Sequence, residues 1–272
     1  MSAPGSVRVI QRRYAAGERI VMVTAYDHPT ARLAHEAGVD VILVGDSLGN
    51  VVLGLDSTLP VTLEDMIRHT AAVVRGAAAT PVVADMPFMS YQPSVERAVL
   101  SAGRLLAETG AQAVKLEGGV AIAPTIARLT ELGIPVVGHV GYTPQSVLTL
   151  GQGRVQGRDE SGARRLMADA RAVAEAGALA MVLELVPSDL AAAVTAEVGV
   201  ATIGIGAGPG CSGQVLVLHD LLGMGGGRTL RFVKQYASVG EVIREAVARY
   251  AADVREGRFP GPEHSFPGTL PD

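Results

Sequence analysis

Five short apolar runs in this chain each end at an ionisable residue, and this pattern is the strongest chemical signal in the sequence. Residues two apart on a β-strand share a face. The aligned sets are Ile42, Val44 and Asp46; Val83 and Asp85; Ala113, Lys115 and Glu117; Val137 and His139; and Val182 and Glu184. If these faces point into one barrel, four carboxylates, one ammonium and one imidazole enter the same small volume. Such a concentration of charge is hard to explain by structure alone.

Plainer explanations compete for each residue taken singly. An Asp after a strand is often a helix cap or a turn residue. Ser47 follows Asp46 and Met86-Pro87 follows Asp85, so neither Asp opens a helix at once. Lys115 admits two roles, a buried salt bridge to Glu117 and a chemical role, and both can hold together. His139 is either a core histidine with satisfied hydrogen bonds or a member of the site.

Carboxylates on neighbouring strands, about 5 Å apart, repel one another unless a proton or a cation lies between them. Oxygen ligands without thiolates suit a hard ion such as Mg²⁺. We expect Asp46 and Asp85 to be ligands, and Glu117 to bind directly or through water. An α-keto acid or its enolate can chelate such an ion, with Lys115 neutralising the substrate carboxylate. Glu184 is then the carboxylate left free to act as general base.

The elements that must position these residues are repeated βα units. Short Val/Ile/Leu-rich runs alternate with amphipathic stretches of helical length, which predicts an α/β fold, a (β/α)8 TIM barrel with its active site at the C-terminal face. Glycines in left-handed cap positions are expected to end five helices, at Gly38, Gly110, Gly133, Gly177 and Gly199. The eight strand candidates are Ile20 to Tyr26, Val39 to Gly45, Pro81 to Ala84, Ala113 to Leu116, Pro135 to Gly138, Ala178 to Leu183, Ala201 to Ile205 and Gln214 to Leu218.

The eighth strand is the weak point of this count. Only Gly206 to Gly213 separates it from the seventh, whereas a parallel crossover normally needs a dozen or more residues. Gln214 to Leu222 is therefore alternatively a helix, with the barrel closed by Arg231 to Tyr236. Two long loops, Leu48 to Pro60 and Thr143 to Arg158, have the length of binding loops or lids. The glycine-rich run that begins at Gly204 lacks dinucleotide-binding spacing.

Composition narrows the partners. A chain of 272 residues fits one barrel of about 250 residues, so we expect a single domain over 1–272, with a short tail at 1–8 and an extension at 258–272. The net charge of -4 offers no basic surface for nucleic acid or membrane. Small molecules are the expected substrates. Cys211 is the single cysteine and no signal peptide is evident, which predicts a cytoplasmic protein.

Several longer stretches, spread over nearly the whole chain, resemble the ketopantoate hydroxymethyltransferase family. The matching stretches are Thr24-Ala25-Tyr26-Asp27, Val44-Gly45-Asp46-Ser47-Leu48-Gly49, Asp56-Ser57-Thr58-Leu59-Pro60-Val61-Thr62, Ala84-Asp85-Met86-Pro87-Phe88, Val114-Lys115-Leu116-Glu117-Gly118-Gly119, Thr143-Pro144-Gln145-Ser146, Ile203-Gly204-Ile205-Gly206-Ala207-Gly208 and Glu263-His264-Ser265-Phe266.

The resemblance implies Mg²⁺ held by Asp46, Asp85 and Glu117, substrate contacts from Asp46, Ser47, Asp85 and Lys115, and Glu184 as proton acceptor. It also implies a homo-oligomer, a decamer in the family. The implied reaction removes the C3 proton of 3-methyl-2-oxobutanoate, and the enolate attacks the one-carbon unit of 5,10-methylenetetrahydrofolate to give 2-dehydropantoate in pantothenate biosynthesis. The chain departs from the expected family pattern at Tyr142, Gln152 and Ser212.

Three other functions remain open at this point. The first is a Mg²⁺-dependent lyase or mutase of the isocitrate lyase or phosphoenolpyruvate mutase kind, although the Lys-Lys-Cys-Gly-His loop of such lyases is missing. The second uses Lys115 as a Schiff-base nucleophile and predicts metal-independent activity. The third is a non-catalytic ligand-binding barrel, for which five aligned ionisable strand ends exceed what binding requires.

Overall fold

Eight parallel strands form a closed barrel in a computed structural model of the chain, which describes residues 5–225 and 230–268. Each strand pairs with the next one along the chain, and the eighth pairs with the first. The predicted (β/α)8 TIM barrel is therefore confirmed. The strands are β1 (Ile20–Thr24), β2 (Val41–Val44), β3 (Val82–Asp85), β4 (Ala113–Glu117), β5 (Val136–Gly141), β6 (Ala180–Glu184), β7 (Ala201–Ile205) and β8 (Gly213–Leu216).

Two helices begin at the predicted N-cap residues, and five end at the predicted cap glycines. Ser94 and Asp159 each accept a hydrogen bond from a backbone N–H of the helix that follows, as N-cap residues do. All five predicted cap glycines have positive φ, between 67° and 91°. The α-helices are α1 (Arg8–Ala15), α2 (His28–Glu36), α3 (Leu48–Val51), α4 (Leu63–Gly76), α5 (Val95–Thr109), α6 (Ala123–Glu131), α7 (Val147–Leu150), α8 (Glu160–Glu175), α9 (Ser188–Glu197), α10 (Leu218–Leu221) and α11 (Val239–Arg255), and two short 3₁₀ helices span Pro144–Ser146 and Pro262–His264.

The chain divides into two compact units, Met1–Leu218 and His219–Asp272. All eight strands lie in the first unit, and the second contains α11 and the second 3₁₀ helix. The expectation of one domain over 1–272 stays a prediction. Among the described helices, none combines the length and the apolar character that crossing a bilayer requires.

The barrel interior is filled by small and branched side chains that lie in register across the strands. Leu43, Val83 and Ala113 are register partners within one buried cluster, and so are Val137 and Ala180. On β3 to β6, the predicted ionisable residues lie two or four residues beyond these side chains on the same faces. For these four strands, the predicted inward face is confirmed.

The predicted inward face of β2 is wrong. Leu43 is the register partner of Val83, so Ile42 and Val44 face the surrounding helices. Asp46 does not reach the site by strand alternation. The strand ends at Val44, and the chain then turns, with the Leu48 N–H donating to the Gly45 carbonyl. Side-chain alternation along a strand does not extend into this turn. The turn itself places Asp46 at the carboxyl ends of the strands.

The eighth strand is Gly213–Leu216, so the strand candidate is confirmed. The alternative is wrong, because only Leu218–Leu221 of Gln214 to Leu222 is helical and β8, not Arg231 to Tyr236, closes the barrel. No helix lies in the connection from β7, which spans only residues 206–212. Glycines make this short crossover possible. A Cβ at Gly210 would lie 2.7 Å from the Ala192 Cβ, and one at Gly213 would lie 2.4 Å from the Ile20 carbonyl oxygen. The chain therefore passes closer to α9 and β1 than any side chain would allow.

We predict that Gly213→Ala lowers the free energy of unfolding by about 2 kcal/mol or more, because the new methyl group forces β1 and β8 apart. Urea denaturation followed by circular dichroism measures the change. Gly103→Ala is the matched control. Gly103 lies within α5, where a new methyl group would have no neighbour inside 4 Å and φ is not positive, so its substitution should be neutral or slightly stabilising. Equal stability of the two variants would contradict the close-approach explanation.

Candidate active site

Asp46 and Asp85 lie side by side at the ends of β2 and β3, and each is 3% exposed. The Asp46 backbone N–H donates to Asp85 Oδ2 at 3.0 Å. Gly45 leaves room for the Ser47 hydroxyl, because a Cβ there would lie 2.7 Å from Ser47 Oγ. Ser47 is held in turn by a 2.8 Å hydrogen bond between its hydroxyl and that of Tyr26. The predicted residues on β2 and β3 are therefore brought together.

Lys115 is buried on β4 and points at the same group. Its Nζ lies 3.0 Å from Asp85 Oδ1 and 3.9 Å from Glu117 Oε1. Asp85 is thus the closer partner, whereas the sequence suggested Glu117. Burial opposes the charge on Lys115, but Asp85, Glu117 and Asp46 outweigh burial and raise the pKa of its ammonium group. Lys115 is a fixed positive charge within the acidic group.

His139, on β5, connects this group to Glu184 on β6. Its Nδ1 lies 3.3 Å from Glu117 Oε1 and its Nε2 lies 3.2 Å from Glu184 Oε2. Burial and the Lys115 charge both oppose protonation, yet Glu117 and Glu184 raise the pKa of His139 to about 9. The protonated imidazolium is therefore the main form at neutral pH, and both ring nitrogens face carboxylates.

The contact between Lys115 Nζ and His139 Nδ1, at 3.1 Å, is a hydrogen bond only if Nδ1 carries no proton, because an ammonium cannot accept one. In the imidazolium it becomes a close approach of two cations, which the flanking carboxylates offset. Burial likewise opposes the charge of Glu117, but His139 and Lys115 keep its pKa below the ordinary value.

Gln145 completes the arrangement, and reasoning from the sequence assigned it no role. It lies in the 3₁₀ helix that follows β5, and its side chain is buried. Its Nε2 donates to Asp46 Oδ2 and to the Met86 carbonyl, each at 2.9 Å, while its backbone N–H donates to Glu117 Oε2 at 2.9 Å. The only sequence signal was its place in the Thr143-Pro144-Gln145-Ser146 stretch. Tyr91, also missed, is buried behind it and its hydroxyl contacts Gln145 Oε1 at 2.8 Å.

These contacts form a closed ring, which we call the charge ring. Asp46 contacts Asp85, Asp85 contacts Lys115, Lys115 contacts Glu117, Glu117 contacts Gln145, and Gln145 returns to Asp46. His139 joins the ring to Glu184 from one side. Six of the seven residues predicted for the site, together with Gln145, form one connected set; the seventh, Ser47, directly follows Asp46 along the chain and pairs with Tyr26.

The charge ring holds its carboxylates under electrostatic stress. Burial, reinforced by the charges of Glu117 and Asp85, raises the pKa of Asp46 to about 8. Burial also raises the pKa of Asp85, although Lys115 opposes the shift. Asp85 Oδ1 and Glu117 Oε1 are buried without an aligned hydrogen bond from the described residues. Each of these two oxygens instead faces a cation, with Lys115 Nζ 3.0 Å from Asp85 Oδ1 and His139 Nδ1 3.3 Å from Glu117 Oε1.

Glu184 is fixed at the opposite side by its backbone. The Tyr142 N–H donates to the Glu184 carbonyl at 2.8 Å, and the next residue, Leu185, has a φ of 48°, rare for a residue with a branched side chain. The Leu185 N–H donates to the Ile205 carbonyl, and the Leu185 carbonyl accepts from the Gln156 N–H. Gln156 and Gln145 both belong to the long loop Thr143 to Arg158. This loop therefore contacts Leu185, next to Glu184, and also contributes Gln145 to the charge ring.

Two of the three departures from the family pattern lie away from the acidic side chains. Gln152 is exposed in the long loop. Ser212 lies at the amino end of β8, where its hydroxyl accepts from the Thr202 N–H, at the opposite end of the barrel from the charge ring. Tyr142 is buried, and its backbone helps to hold Glu184.

A parallel barrel with buried acid, ammonium and imidazole groups at the carboxyl ends of its strands defines the class of protein: a (β/α)8-barrel enzyme. The sequence relatives narrow this class. The family model for ketopantoate hydroxymethyltransferase matches residues 5–262. A 3-methyl-2-oxobutanoate hydroxymethyltransferase of Chloroflexus aurantiacus is 60% identical over 96% of this chain and 92% of its own, and one of Moorella thermoacetica is 58% identical over 94% and 96%. The chain belongs to the ketopantoate hydroxymethyltransferase family and is a transferase.

Solved structures with a similar fold include a phosphonopyruvate hydrolase in complex with oxalate and Mg²⁺, with a TM-score of 0.64 at 15% identity over 94% of this chain and 92% of that one. A 2,3-dimethylmalate lyase of the phosphoenolpyruvate mutase and isocitrate lyase superfamily has a TM-score of 0.58 at 18% identity, over 94% and 90%. At such identities the likeness shows the fold alone. The lyase or mutase alternative therefore describes shared architecture, while the close sequence relatives are hydroxymethyltransferases.

We predict that Asp46→Asn stabilises the metal-free protein by on the order of a few kcal/mol at pH 9. The pKa of Asp46 rises from 3.8 to about 8 on folding, so the folded state binds the proton more tightly. The penalty for ionising Asp46 is therefore absent below pH 4, grows as the pH rises toward 8, and is then constant. Asn keeps an oxygen for Gln145 but carries no charge. Thermal unfolding at pH 5, 7 and 9 measures the difference.

Asp65→Asn is the control of opposite sign. The Thr62 hydroxyl lowers the pKa of Asp65 within the capping box of α4, so its ionised form supports the fold and its loss should destabilise the protein slightly. If Asp46→Asn destabilised the protein equally at pH 5 and pH 9, the charge ring would not be under the stress described.

Proposed function

We propose that this chain transfers a hydroxymethyl group from 5,10-methylenetetrahydrofolate to 3-methyl-2-oxobutanoate, giving 2-dehydropantoate for pantothenate biosynthesis. Its close relatives bear the name of this activity. The observation that carries the proposal is the bridge from Glu184 through His139 to Glu117, which is in turn the ion-pair partner of Lys115. It links a carboxylate able to accept a proton with a buried cation able to hold an anionic substrate.

Substrate binding is assigned to the charge ring. The substrate is an α-keto acid, whose carboxylate needs a cation in a site that is otherwise acidic. Lys115 supplies this charge from the barrel interior. It is buried, and its ion pair with Asp85 keeps the ammonium in the site. Ser47, oriented by Tyr26, is the hydroxyl available to donate or accept at the substrate oxygens.

Glu184 is assigned as the general base that removes the proton from C3 of the substrate. Among the acidic residues of the site it is the only one outside the charge ring, and its side chain is 17% exposed while those of Asp85 and Glu117 are 3–4% exposed. A group that must exchange a proton with substrate and then with water gains from this partial exposure. The His139 imidazolium, whose Nε2 lies 3.2 Å from Glu184 Oε2, stabilises the negative charge of this carboxylate. The enolate carbon then bonds to the methylene carbon, whose bonds to the two folate nitrogens break; water supplies the new hydroxyl, and tetrahydrofolate leaves.

Asp46 and Asp85 are assigned to Mg²⁺, with Glu117 bound directly or through water. Among the described residues, no group of three or more His, Cys, Asp or Glu side chains is arranged to enclose a metal ion. Mg²⁺ does not need such a cage, because it usually takes one or two carboxylates and fills its other positions with water and substrate oxygens. The burial of three carboxylates side by side and the raised pKa of Asp46 fit a cation. The bound ion would supply Lewis-acid stabilisation of the enolate oxygen.

A Schiff base at Lys115 is the alternative that the geometry disfavours. Such a nucleophile needs a neutral amine, and enzymes obtain it by lowering the lysine pKa. In this chain the surrounding carboxylates raise the pKa of Lys115 instead. The amine is also engaged by Asp85 at 3.0 Å.

A homo-oligomer in the cytoplasm, binding small molecules and neither nucleic acid nor membrane, completes the proposal. Exposed apolar side chains on α11 support self-association. These are Val242, Ile243, Val247, Tyr250 and Val254.

The proposal predicts Mg²⁺-dependent exchange of the C3 hydrogen of 3-methyl-2-oxobutanoate with deuterium oxide, without folate. Glu184→Gln should slow this exchange by about 10² to 10⁴-fold, since a general base contributes about that much. Proton NMR of the substrate follows the exchange. Glu197→Gln is the matched control. Glu197 lies on α9, where it is exposed and forms an ion pair with Arg171, so its substitution should leave the rate unchanged.

Chelation separates the candidate mechanisms. Loss of exchange with chelator, restored by added Mg²⁺, supports the metal assignment. Exchange that survives chelation, is lost in Lys115→Ala, and is accompanied by trapping of the substrate on the protein by borohydride would replace it with a Schiff base. A wild-type protein that exchanges no hydrogen at C3 under any of these conditions would contradict the proposed reaction.

A further prediction concerns the pH dependence of Mg²⁺ binding. Because Asp46 is protonated below a pKa of about 8, the ion must displace a proton to use this carboxylate. The dissociation constant should therefore fall about tenfold per pH unit between pH 6 and 8 and level off above. Calorimetry in two buffers of different ionisation enthalpy should show about one proton released per ion. Asp46→Asn should bind weakly and without this slope, and a wild-type affinity that ignores pH would remove Asp46 as a ligand.

A further inference from the structure

Gln145 is the one uncharged member of the charge ring and the one that comes from a loop. The other members lie on strand ends or directly after them, while Gln145 belongs to the 3₁₀ helix that opens the long loop Thr143 to Arg158. We propose that Gln145 is a positioning residue, which sets the orientation of the Asp46 carboxylate and thereby the affinity of the site for a divalent cation. This inference rests on the function proposed above.

The hydrogen bonds of Gln145 fix its amide in a single orientation. The Met86 carbonyl can only accept, so the amide atom 2.9 Å away must be the nitrogen. The same nitrogen donates its second hydrogen to Asp46 Oδ2. The amide oxygen lies 2.8 Å from the Tyr91 hydroxyl and 2.9 Å from Gln92 Nε2. Every polar atom of this buried side chain therefore has a partner, and the amide cannot turn without losing two hydrogen bonds.

Such an amide controls which oxygen of Asp46 faces a bound cation. Oδ2 is occupied by Gln145, which leaves Oδ1 as the oxygen for a ligand bond. With one oxygen held, the carboxylate presents the other in a constant direction. The backbone N–H of Gln145 holds Glu117 Oε2 in the same way. One residue thus spaces two buried carboxylates that would otherwise repel each other directly.

Partners of metal-binding carboxylates orient them, and their removal typically weakens metal binding or activity by about 10- to 100-fold. Gln145→Met retains the length and volume of the side chain but removes the donor to Asp46, while the backbone N–H to Glu117 stays. We therefore expect the variant to bind the divalent ion Mn²⁺ at least about tenfold more weakly than wild type. Gln145→Glu, which places a carboxylate against Asp46 Oδ2, should weaken binding further.

The experiment measures Mn²⁺ binding by electron paramagnetic resonance in solution, without substrate, and thermal unfolding of each metal-free variant. Gln156→Met is the matched control. It lies in the same loop, its side chain donates to the nearby Arg154 carbonyl, and its backbone N–H bond to Leu185 is untouched. This control should bind Mn²⁺ as wild type does. Exchange at C3 in Gln145→Met should recover at saturating Mg²⁺, because the defect lies in affinity.

Three outcomes would be decisive. Weak Mn²⁺ binding in both Gln145 variants, with normal binding in Gln156→Met, supports the inference. Wild-type affinity in Gln145→Met overturns it, whether or not the variant is less stable, and leaves the proposed function intact. A wild-type protein that catalyses C3 exchange but binds no Mn²⁺ overturns the metal assignment and this inference together, which the wild-type measurement reveals before any variant is considered.

Discussion

Repulsion among buried carboxylates is the constraint on which the rest of the site depends. Asp46, Asp85 and Glu117 come from three successive strands, and each is nearly inaccessible to solvent. In a low-dielectric interior an uncompensated charge is very costly, so every oxygen must find a cation, a donor or a proton. Lys115 and His139 provide the cations. The backbone N–H groups of Gln145 and Asp46 provide hydrogen-bond donors. Asp46 itself holds a proton, because its pKa is raised to about 8. The charge ring is the arrangement that satisfies all of these requirements at once.

The parts of this site that follow from strand periodicity could be predicted from the sequence. Parallel strands with interior apolar residues place residues two positions further on the same face, which predicted Asp85, Lys115, Glu117, His139 and Glu184 correctly as a group. The cap glycines could also be predicted from the sequence, because only glycine adopts the left-handed conformation without strain. Asp46 was predicted to be in the site for the wrong reason. Periodicity ends where a strand ends, and the turn after Val44 decides its position.

The features that sequence reasoning missed arise from close approach and from loops. The crossover from β7 to β8 looked too short for a parallel connection, because the usual length assumes a helix between the strands. Glycines let the backbone cross without one, and their sequence alone did not reveal which neighbours they approach. Gln145 is separated from Asp46 by 99 residues, and no periodicity predicts which loop amide reaches a given carboxylate. Such a pairing is a property of the closed barrel.

The likeness to phosphonopyruvate hydrolase and to 2,3-dimethylmalate lyase shows how little of the chemistry the barrel itself decides. Similar backbones at 15–18% identity carry other activities, so the function of this chain depends on the few groups placed at the strand ends. In this chain the long loop after β5 contacts both sides of the site, the charge ring through Gln145 and the neighbour of Glu184 through Gln156. Because the loop joins these two sides, the distance between the proposed base and the proposed metal ligands is set by the loop as well as by the strands. Variation in that loop would change the chemistry while leaving the barrel unaltered.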